Sequence, residues 1–213
     1  MGITDPRLVE HYAHIHRSKA YGQTCHGYAE SILACLVDLK PRVVVEYGCG
    51  QSELERMLPH AARWVRYDPA IPGIDRLTES QADFVINTDV LEHVPETDLD
   101  DLLAHIASLA GDVFFSISTR PALEILPDGR NAHCTVWPAA RWVAMLARHF
   151  PRATLVHEKP RDCCIVVTWR SAVVELIRQI EELKVDAARS RRPQRLTRRL
   201  WRACGRIVGS TRA

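Results

Sequence analysis

The chain has 213 residues, which is enough for one α/β domain with a sizeable hydrophobic core and too few for two ordinary domains. Its formal net charge is only +2, no apolar run approaches the roughly 20 residues that span a bilayer, and the amino-terminus lacks a signal-peptide core, so we expect a cytoplasmic protein. Seven cysteines without a Cys-x-x-Cys pair favour free thiols in a reducing compartment over disulfides or a zinc site.

Residues 1–40 are predicted to form a helical cap ahead of the main domain. His11 and His14 can share one helical face, but no carboxylate or cysteine is spaced to complete a metal site with them. A solvated helical face is the simpler interpretation, and no metal site is predicted. A second helix follows, because apolar residues recur at helical spacing from Tyr28 to Leu39.

The stretch Val43–Ser52 predicts a strand, a glycine turn and the start of a helix. Three β-branched residues fit a strand buried on both faces, and Gly48 and Gly50 interrupt it. Helical spacing begins at Glu53, with Ser52 as the expected N-cap. Such a turn presents unpaired backbone N–H groups to a ligand. Because Glu53 stands where a dinucleotide fingerprint has its third glycine, we expect a nucleotide-like ligand other than a dinucleotide.

Two further patterns follow in order along the chain. Asp68 closes a strand predicted from Trp64 to Tyr67, and the predicted strand Ala82–Asn87 leads into Thr88-Asp89-Val90-Leu91-Glu92-His93. Together with Glu46-Tyr47-Gly48-Cys49-Gly50, these stretches resemble the motifs of class I S-adenosylmethionine-dependent methyltransferases. The resemblance covers about residues 43–95. It implies an α/β fold with a Rossmann-like, doubly wound, mostly parallel sheet, and S-adenosylmethionine as the cofactor.

The same resemblance assigns residues to the cofactor. Asp68 is expected to bind the ribose, since its two accepting oxygens match two vicinal hydroxyl donors. Glu46 is expected to meet the ammonium group, directly or through water, with a structural role at the strand end as the alternative. Asp89 and Val90 are expected near the adenine or the methyl group. The candidate cofactor-binding residues are Glu46, Gly48, Cys49, Gly50, Asp68, Asp89 and Val90.

The family's N-terminal segment often lies over the methionine end of the cofactor. This resemblance implies that Tyr21 and Gln23 face the site, and a plain turn is the alternative.

The segment after Asp68 departs from the family pattern. Only 13 residues separate Asp68 from Ala82, and a full helix-strand-helix unit does not fit there. We therefore expect a sheet that is shortened between the family's strands 2 and 4. Residues 75–78 could form a truncated third strand, with Asp75 accepting a hydrogen bond from the adenine amine.

The second half of the chain predicts the rest of the sheet. A helix with apolar residues from Leu99 to Leu109 precedes a strand at Val113–Ile117, and Pro138 opens another helix. Residues 153–156 and 163–169 then predict an antiparallel pair. A closing hairpin of this kind also matches the methyltransferase plan.

The loop Ser118–Thr135 is too long to be a mere connector in a compact domain. It contains His133 and follows a strand at the edge where open α/β sheets bind ligands. A neutral imidazole can take a proton from a hydroxyl group, so His133 is the preferred catalytic base and His93 the second candidate, with an architectural role for His93 as the alternative. Arg120 and Arg130 could hold an acidic group of the acceptor or remain solvated.

Residues 171–213 are predicted to form a C-terminal helix and a basic amphipathic tail, after a methyltransferase domain at 41–170. Residues 189–213 contain nine arginines and no acidic residue. Apolar residues recur between them at helical spacing, which is typical of segments that bind an anionic membrane surface. The tail could thus hold the protein at the inner face of the membrane; RNA, a protein groove and plain solvation are the alternatives.

These patterns predict a methyltransferase that acts on a small-molecule or sugar/glycan-like acceptor, with oxygen as the methylated atom. Asn87-Thr88-Asp89-Val90 stands where enzymes that methylate DNA bases carry an Asn-Pro-Pro-aromatic motif, so DNA is disfavoured. One alternative is a non-catalytic subunit that binds S-adenosylmethionine. Another is a nicotinamide-dependent oxidoreductase, which would need a longer sheet and a third glycine.

Overall fold

A six-stranded sheet forms the centre of the protein in the computed structural model, which describes residues 6–190. The strands are β1 (Val43–Tyr47), β2 (Arg63–Tyr67), β3 (Phe84–Thr88), β4 (Val113–Ser118), β5 (Thr154–Lys159) and β6 (Cys163–Val167). Their order in the sheet is β2-β1-β3-β4-β6-β5.

The first four strands run parallel, and the last two form an antiparallel hairpin. β1 pairs in parallel with β2 and β3, with Val45 opposite both Val65 and Val85. β6 is antiparallel to β4 and to β5. Val45 is fully buried because helices cover both faces of the sheet, which explains the continuous apolar run in β1. The predicted Rossmann-like sheet with a terminal hairpin is confirmed.

Two helical layers cover the sheet. One face packs against α2 (Ala29–Leu39) and α6 (Val173–Ser190), and the other packs against α4 (Leu99–Leu109) and α5 (Ala139–Ala147). The remaining described helices are α1 (Pro6–Ser18) and the single turn α3 (Leu54–Met57), and short 3-10 turns lie at Thr24–Tyr28, Leu91–His93 and Glu96–Asp98.

The helix after the glycine turn is shorter than its sequence pattern predicts. It has four residues, and Glu53 rather than Ser52 occupies the N-cap position. Ser52 still contributes, because its Oγ accepts the Leu54 N–H at 3.1 Å. The helix ends at Met57 because Pro59 disfavours a helical conformation at Leu58, which is extended.

The predicted third strand at residues 75–78 is wrong. No strand is present between β2 and β3, and the sheet is shortened there as expected. The Asp75 carboxylate accepts the Gly73 N–H at 3.2 Å and so belongs to its own turn. An ion pair between Arg63 and Glu79 closes the segment against β2.

The basic tail from residue 191 onward lies outside the described residues, and its predicted membrane contact stays a prediction. Within residues 6–190, no helix combines the length and apolar character needed to cross a membrane. The six cysteines of this part of the chain are free thiols.

A candidate active site at the carboxyl ends of the strands

A cavity of about 550 Å³ opens at the carboxyl ends of the parallel strands. Residues that directly follow β1, β2 and β3 line it, together with Ser118 at the end of β4 and with residues of α1 and of the segment 20–24. Open α/β sheets bind their ligands at this edge. The volume of the cavity also falls within the range of about 300 to 1,000 Å³ that is usual for small-molecule sites.

The glycine turn after β1 needs glycine for two reasons. Gly48 and Gly50 have φ angles of +72° and +51°, which L side chains rarely adopt. A Cβ on Gly48 would lie 2.5 Å from Val90 Cγ2, and one on Gly50 would lie 3.0 Å from the Cα of Gly22. The turn is thus packed backbone against backbone on one side and against Val90 on the other.

We expect Gly48→Ala to destabilise the protein by about 2–3 kcal/mol, through its left-handed backbone conformation and through the clash with Val90. Urea denaturation would measure the loss. Gly73→Ala is the matched control, because Gly73 also has a positive φ of +91° but a Cβ added there would meet no atom within 4 Å. Equal losses in the two variants would contradict a steric role for Val90.

Asp68 joins the end of β2 to the glycine turn. Its Oδ2 accepts the Gly50 N–H at 2.8 Å, and its Oδ1 accepts the Ala70 N–H at 2.9 Å. The side chain is buried and lines the cavity. Since a carboxylate offers about four lone-pair positions, acceptor capacity remains for a ligand.

The segment between α1 and α2 closes over the glycine turn. Gln51 fixes it, because its Oε1 accepts the Tyr21 N–H at 3.0 Å and its Nε2 donates to the His16 carbonyl at 2.9 Å. Tyr21, Gln23 and His16 line the cavity. The sequence pointed to Tyr21 and Gln23 but not to His16 and Gln51, whose roles depend on a contact between distant parts of the chain.

Glu46 and Cys49 are not among the residues that line the cavity. Glu46 is 1% exposed, and its Oε2 accepts the Trp64 indole N–H at 3.0 Å. Burial raises the pKa of the Glu46 carboxyl and that of the Cys49 thiol. The structure thus places both side chains behind the turn, and the predicted contact between Glu46 and the ammonium group stays a prediction.

Asp89 and Val90 form the opposite wall of the cavity, directly after β3. Asp89 has a φ of +53°, a conformation that aspartate tolerates better than most residues. The Ser116 hydroxyl donates to Asp89 Oδ1 at 2.9 Å, and the Asp89 N–H donates to the Ser116 carbonyl at 2.9 Å. Burial raises the pKa of Asp89 although the Ser116 hydroxyl donates to its carboxylate.

His93 and His133 meet at the same wall, as the two strand-end loops converge. Their rings are edge to face with centroids 4.8 Å apart. His93 Nδ1 lies 2.9 Å from the Ala132 carbonyl oxygen, and His133 Nδ1 lies 2.6 Å from the Arg120 carbonyl oxygen. Because a carbonyl only accepts, each Nδ1 carries the proton and each Nε2 keeps its lone pair.

Tyr12 of α1 completes the support of His93. Its hydroxyl lies 2.7 Å from His93 Nδ1 and donates to the Ala132 carbonyl at 2.9 Å. Burial, with the neighbouring His133, lowers the pKa of His93 to about 4, and burial also lowers the pKa of His133. Both imidazoles are therefore neutral at physiological pH. Tyr12 was not predicted, because no local pattern links α1 to the loop after β4.

Glu92 lies beside this pair and is fully buried. Its Oε1 accepts the Ser118 N–H at 2.9 Å, whereas its Oε2 has no hydrogen-bond partner. Burial and the neighbouring Asp89 raise the pKa of Glu92 well above its usual range. Glu92 lines the cavity but was no candidate in the sequence, where it stood only as part of the motif before His93.

The two loop arginines lie differently. Arg120 lines the cavity and pairs with Asp162 at 2.8 Å. Arg130 pairs with Asp128 at 2.7 Å and is not among the lining residues. Of the two, Arg120 is therefore the one that borders the cavity.

Comparisons with known proteins find the same architecture. A family profile described as a methyltransferase domain matches residues 16–161. The 1,6-didemethyltoxoflavin-N1-methyltransferase of Burkholderia thailandensis, solved with 1,6-didemethyltoxoflavin and S-adenosylhomocysteine, is 16% identical, with a TM-score of 0.54 over 78% of this chain and 91% of its own. A comparison with curated proteins found no match.

Two further solved structures share the fold. The DhpI complex with S-adenosylhomocysteine is 18% identical, with a TM-score of 0.53 over 79% of this chain and 100% of its own. The magnesium protoporphyrin IX methyltransferase of Synechocystis PCC 6803, with bound S-adenosylmethionine, is 19% identical, with a TM-score of 0.50 over 80% of this chain and 99% of its own.

Proposed function

The chain belongs to the methyltransferase-domain family, and we propose that it transfers a methyl group from S-adenosylmethionine to a hydroxyl oxygen of a small-molecule or sugar-like acceptor. The family and its class I fold identify an S-adenosylmethionine-dependent methyltransferase. The acceptor and the methylated atom are the proposal. One observation carries it: a single cavity holds the glycine turn with Asp68 and also the neutral pair His93 and His133.

Methyl transfer is an in-line displacement at carbon. The bond between the methyl carbon and the sulfonium sulfur breaks while a bond to the acceptor oxygen forms, and the sulfur becomes a neutral thioether. The hydroxyl proton has to leave, so the protein must align the acceptor and activate its hydroxyl group.

The cofactor is assigned to the end of the cavity that the glycine turn forms. Gly48 and Gly50 let the ligand approach the backbone, and Asp68 supplies the acceptor for the ribose hydroxyls. Val90, which packs on Gly48, and Asp89 form the wall beside the adenine or the methyl group. Glu46 and Cys49 support the glycine turn from behind. In this proposal Glu46 contacts the ammonium group of the cofactor through a water molecule.

The acceptor hydroxyl is assigned to His133, with His93 as its neighbour. His133 is half-buried in the cavity wall, and its Nδ1–H donates to a carbonyl, so that its Nε2 lone pair is available. An available imidazole lone pair supports a hydroxyl acceptor, because a hydroxyl group must lose its proton as it is methylated. His93 is more enclosed, and its contact with Tyr12 supports a positioning role.

Isothermal titration and a transfer assay test this function together. The full chain should bind S-adenosylhomocysteine and not NADH, and it should move a radiolabelled methyl group from S-adenosylmethionine to a metabolite fraction of a cell extract. Mass spectrometry of the labelled product would identify a methyl ether. A methylated amine would overturn the oxygen assignment, and binding without any product would support the alternative of a non-catalytic subunit.

We further propose that the tail places the enzyme at the inner face of the membrane. The support is the sequence of residues 189–213, with its nine arginines and no acidic residue. In flotation experiments the full chain should float together with vesicles that contain anionic lipids. A chain truncated after residue 188 should not float with them. Equal flotation of both chains would eliminate this role.

A further inference from the structure

Glu92, His93 and His133 converge on one point of the cavity wall. One ligand atom from each of them, a carboxylate oxygen or an imidazole nitrogen, lies within 4.8 Å of the others. Ligands bound to one transition metal ion at about 2.1 Å are about 3–4 Å apart. The cluster thus resembles a metal site that is slightly too wide, and the ligand atoms would have to approach one another by about 1–2 Å to bind one ion.

Both imidazoles already present the nitrogen that a metal needs. Each Nδ1 is held by a carbonyl oxygen, that of Ala132 for His93 and that of Arg120 for His133. This arrangement fixes the tautomer and leaves the Nε2 lone pair free. Metal-binding histidines are held in the same way, by a carbonyl or a carboxylate on the nitrogen opposite the metal.

Glu92 supplies the independent observation. Glu92 lines the cavity, yet the residue is fully buried and its Oε2 has no hydrogen-bond partner. A buried polar atom without a partner is costly. The neighbouring carboxyl of Asp89 adds to this cost through repulsion. A cation at this point would satisfy the free oxygen and offset both carboxylates.

We propose that Glu92, His93 and His133 bind a divalent transition metal ion. Two imidazoles and one carboxylate suit Mn²⁺, Fe²⁺, Co²⁺ or Zn²⁺ better than Mg²⁺ or Ca²⁺, which favour oxygen ligands. Three protein ligands leave coordination positions open toward the cavity, as in catalytic rather than structural metal sites.

The metal ion would activate the acceptor hydroxyl group. This role rests on the proposed O-methylation. The hydroxyl oxygen takes an open coordination position, and the metal lowers its pKa so that the proton leaves to solvent. The oxygen then forms its bond to the methyl carbon as the carbon–sulfur bond breaks. The role proposed above for His133 is thereby refined: its Nε2 would activate the hydroxyl group through the metal ion that it holds, instead of taking the proton itself.

Metal binding can be measured without any substrate. The purified full chain is stripped with a chelator and titrated with Co²⁺, whose d–d absorption reports the coordination number, and with Mn²⁺ by calorimetry. We expect one ion per chain, with affinity reduced at least about 10-fold by Glu92→Gln and by His133→Asn. His133→Asn is informative because asparagine can still donate to the Arg120 carbonyl.

His105→Asn is the matched control, because His105 is also partly buried, with its Nδ1 2.9 Å from the Tyr47 hydroxyl, but lies outside the cavity lining. Thermal melts of the metal-free variants separate misfolding from lost coordination. Failure of the wild-type chain to bind any of the metals, or unchanged affinity in both folded variants, overturns the proposal.

Chelation separates this proposal from the function on which its role rests. S-adenosylhomocysteine should still bind to the metal-free chain, while methyl transfer stops and returns with Mn²⁺ or Co²⁺. Transfer that survives complete removal of metal but is lost in His133→Asn overturns the metal proposal in favour of direct proton transfer. Absence of S-adenosylhomocysteine binding overturns the proposed function and leaves the metal titration intact.

Discussion

Replacing Asp68 by asparagine is expected to weaken S-adenosylhomocysteine binding about 100-fold, since hydrogen bonds to a charged group are worth about 1.5–3 kcal/mol each. The carboxylate holds the N–H groups of Gly50 and Ala70 with separate oxygens. Asparagine keeps one oxygen and turns an NH₂ group toward the other donor or toward the ribose. Calorimetric titration of the folded variant would measure the loss.

Asp83→Asn is the control that separates cofactor binding from support of the fold. The Asp83 carboxylate also accepts two backbone N–H groups, those of Arg42 and Val43, at 2.8 and 2.9 Å. It lies outside the cavity lining. Both variants should lose stability in urea, but only Asp68→Asn should lose cofactor affinity. Equal affinity in the two variants would show that Asp68 serves only the turn.

The sheet could be predicted from the sequence because its strands are buried on both faces. Val44 and Val45 in β1 and the run Phe84–Ile86 in β3 are fully buried, and such runs stand out from amphipathic helices. The glycine turn was equally visible, because only glycine tolerates the positive φ of Gly48 next to Val90. Its function followed from the resemblance and not from the turn alone.

The remaining parts of the site depend on contacts between distant segments. Tyr12 meets His93 across 81 residues, and Gln51 binds the backbone of the segment before α2 across 30 residues. Neither contact leaves a periodic or local signal in the sequence. Glu92 was missed for a related reason, since a glutamate after a buried strand reveals its burial only when β4 and its loop are in place.

Replacing His133 by asparagine is expected to reduce kcat/KM for methyl transfer by about 100- to 10,000-fold, the usual contribution of a group that activates the reacting hydroxyl. Asparagine keeps a donor for the Arg120 carbonyl and removes the Nε2 lone pair. Cofactor affinity should change little, because Asp68 and the glycine turn stay intact. Initial rates with labelled S-adenosylmethionine, paired with calorimetry on the same sample, would separate the two quantities.

The pH profile gives this prediction a second readout. Burial lowers the pKa of His133 below its ordinary value of 6.5, so the imidazole is neutral at pH 7 and gains a proton only as the pH falls further. Protonation removes the Nε2 lone pair, whether that lone pair takes the hydroxyl proton directly or holds the proposed metal ion, and the wild-type rate should therefore fall as the pH drops below 6.5. The residual rate of His133→Asn should lack this acid limb, whereas His105→Asn should retain it. A variant that keeps the wild-type profile at a reduced rate would show that His133 only supports the loop, and activation of the acceptor would then have to be assigned to another group in the cavity.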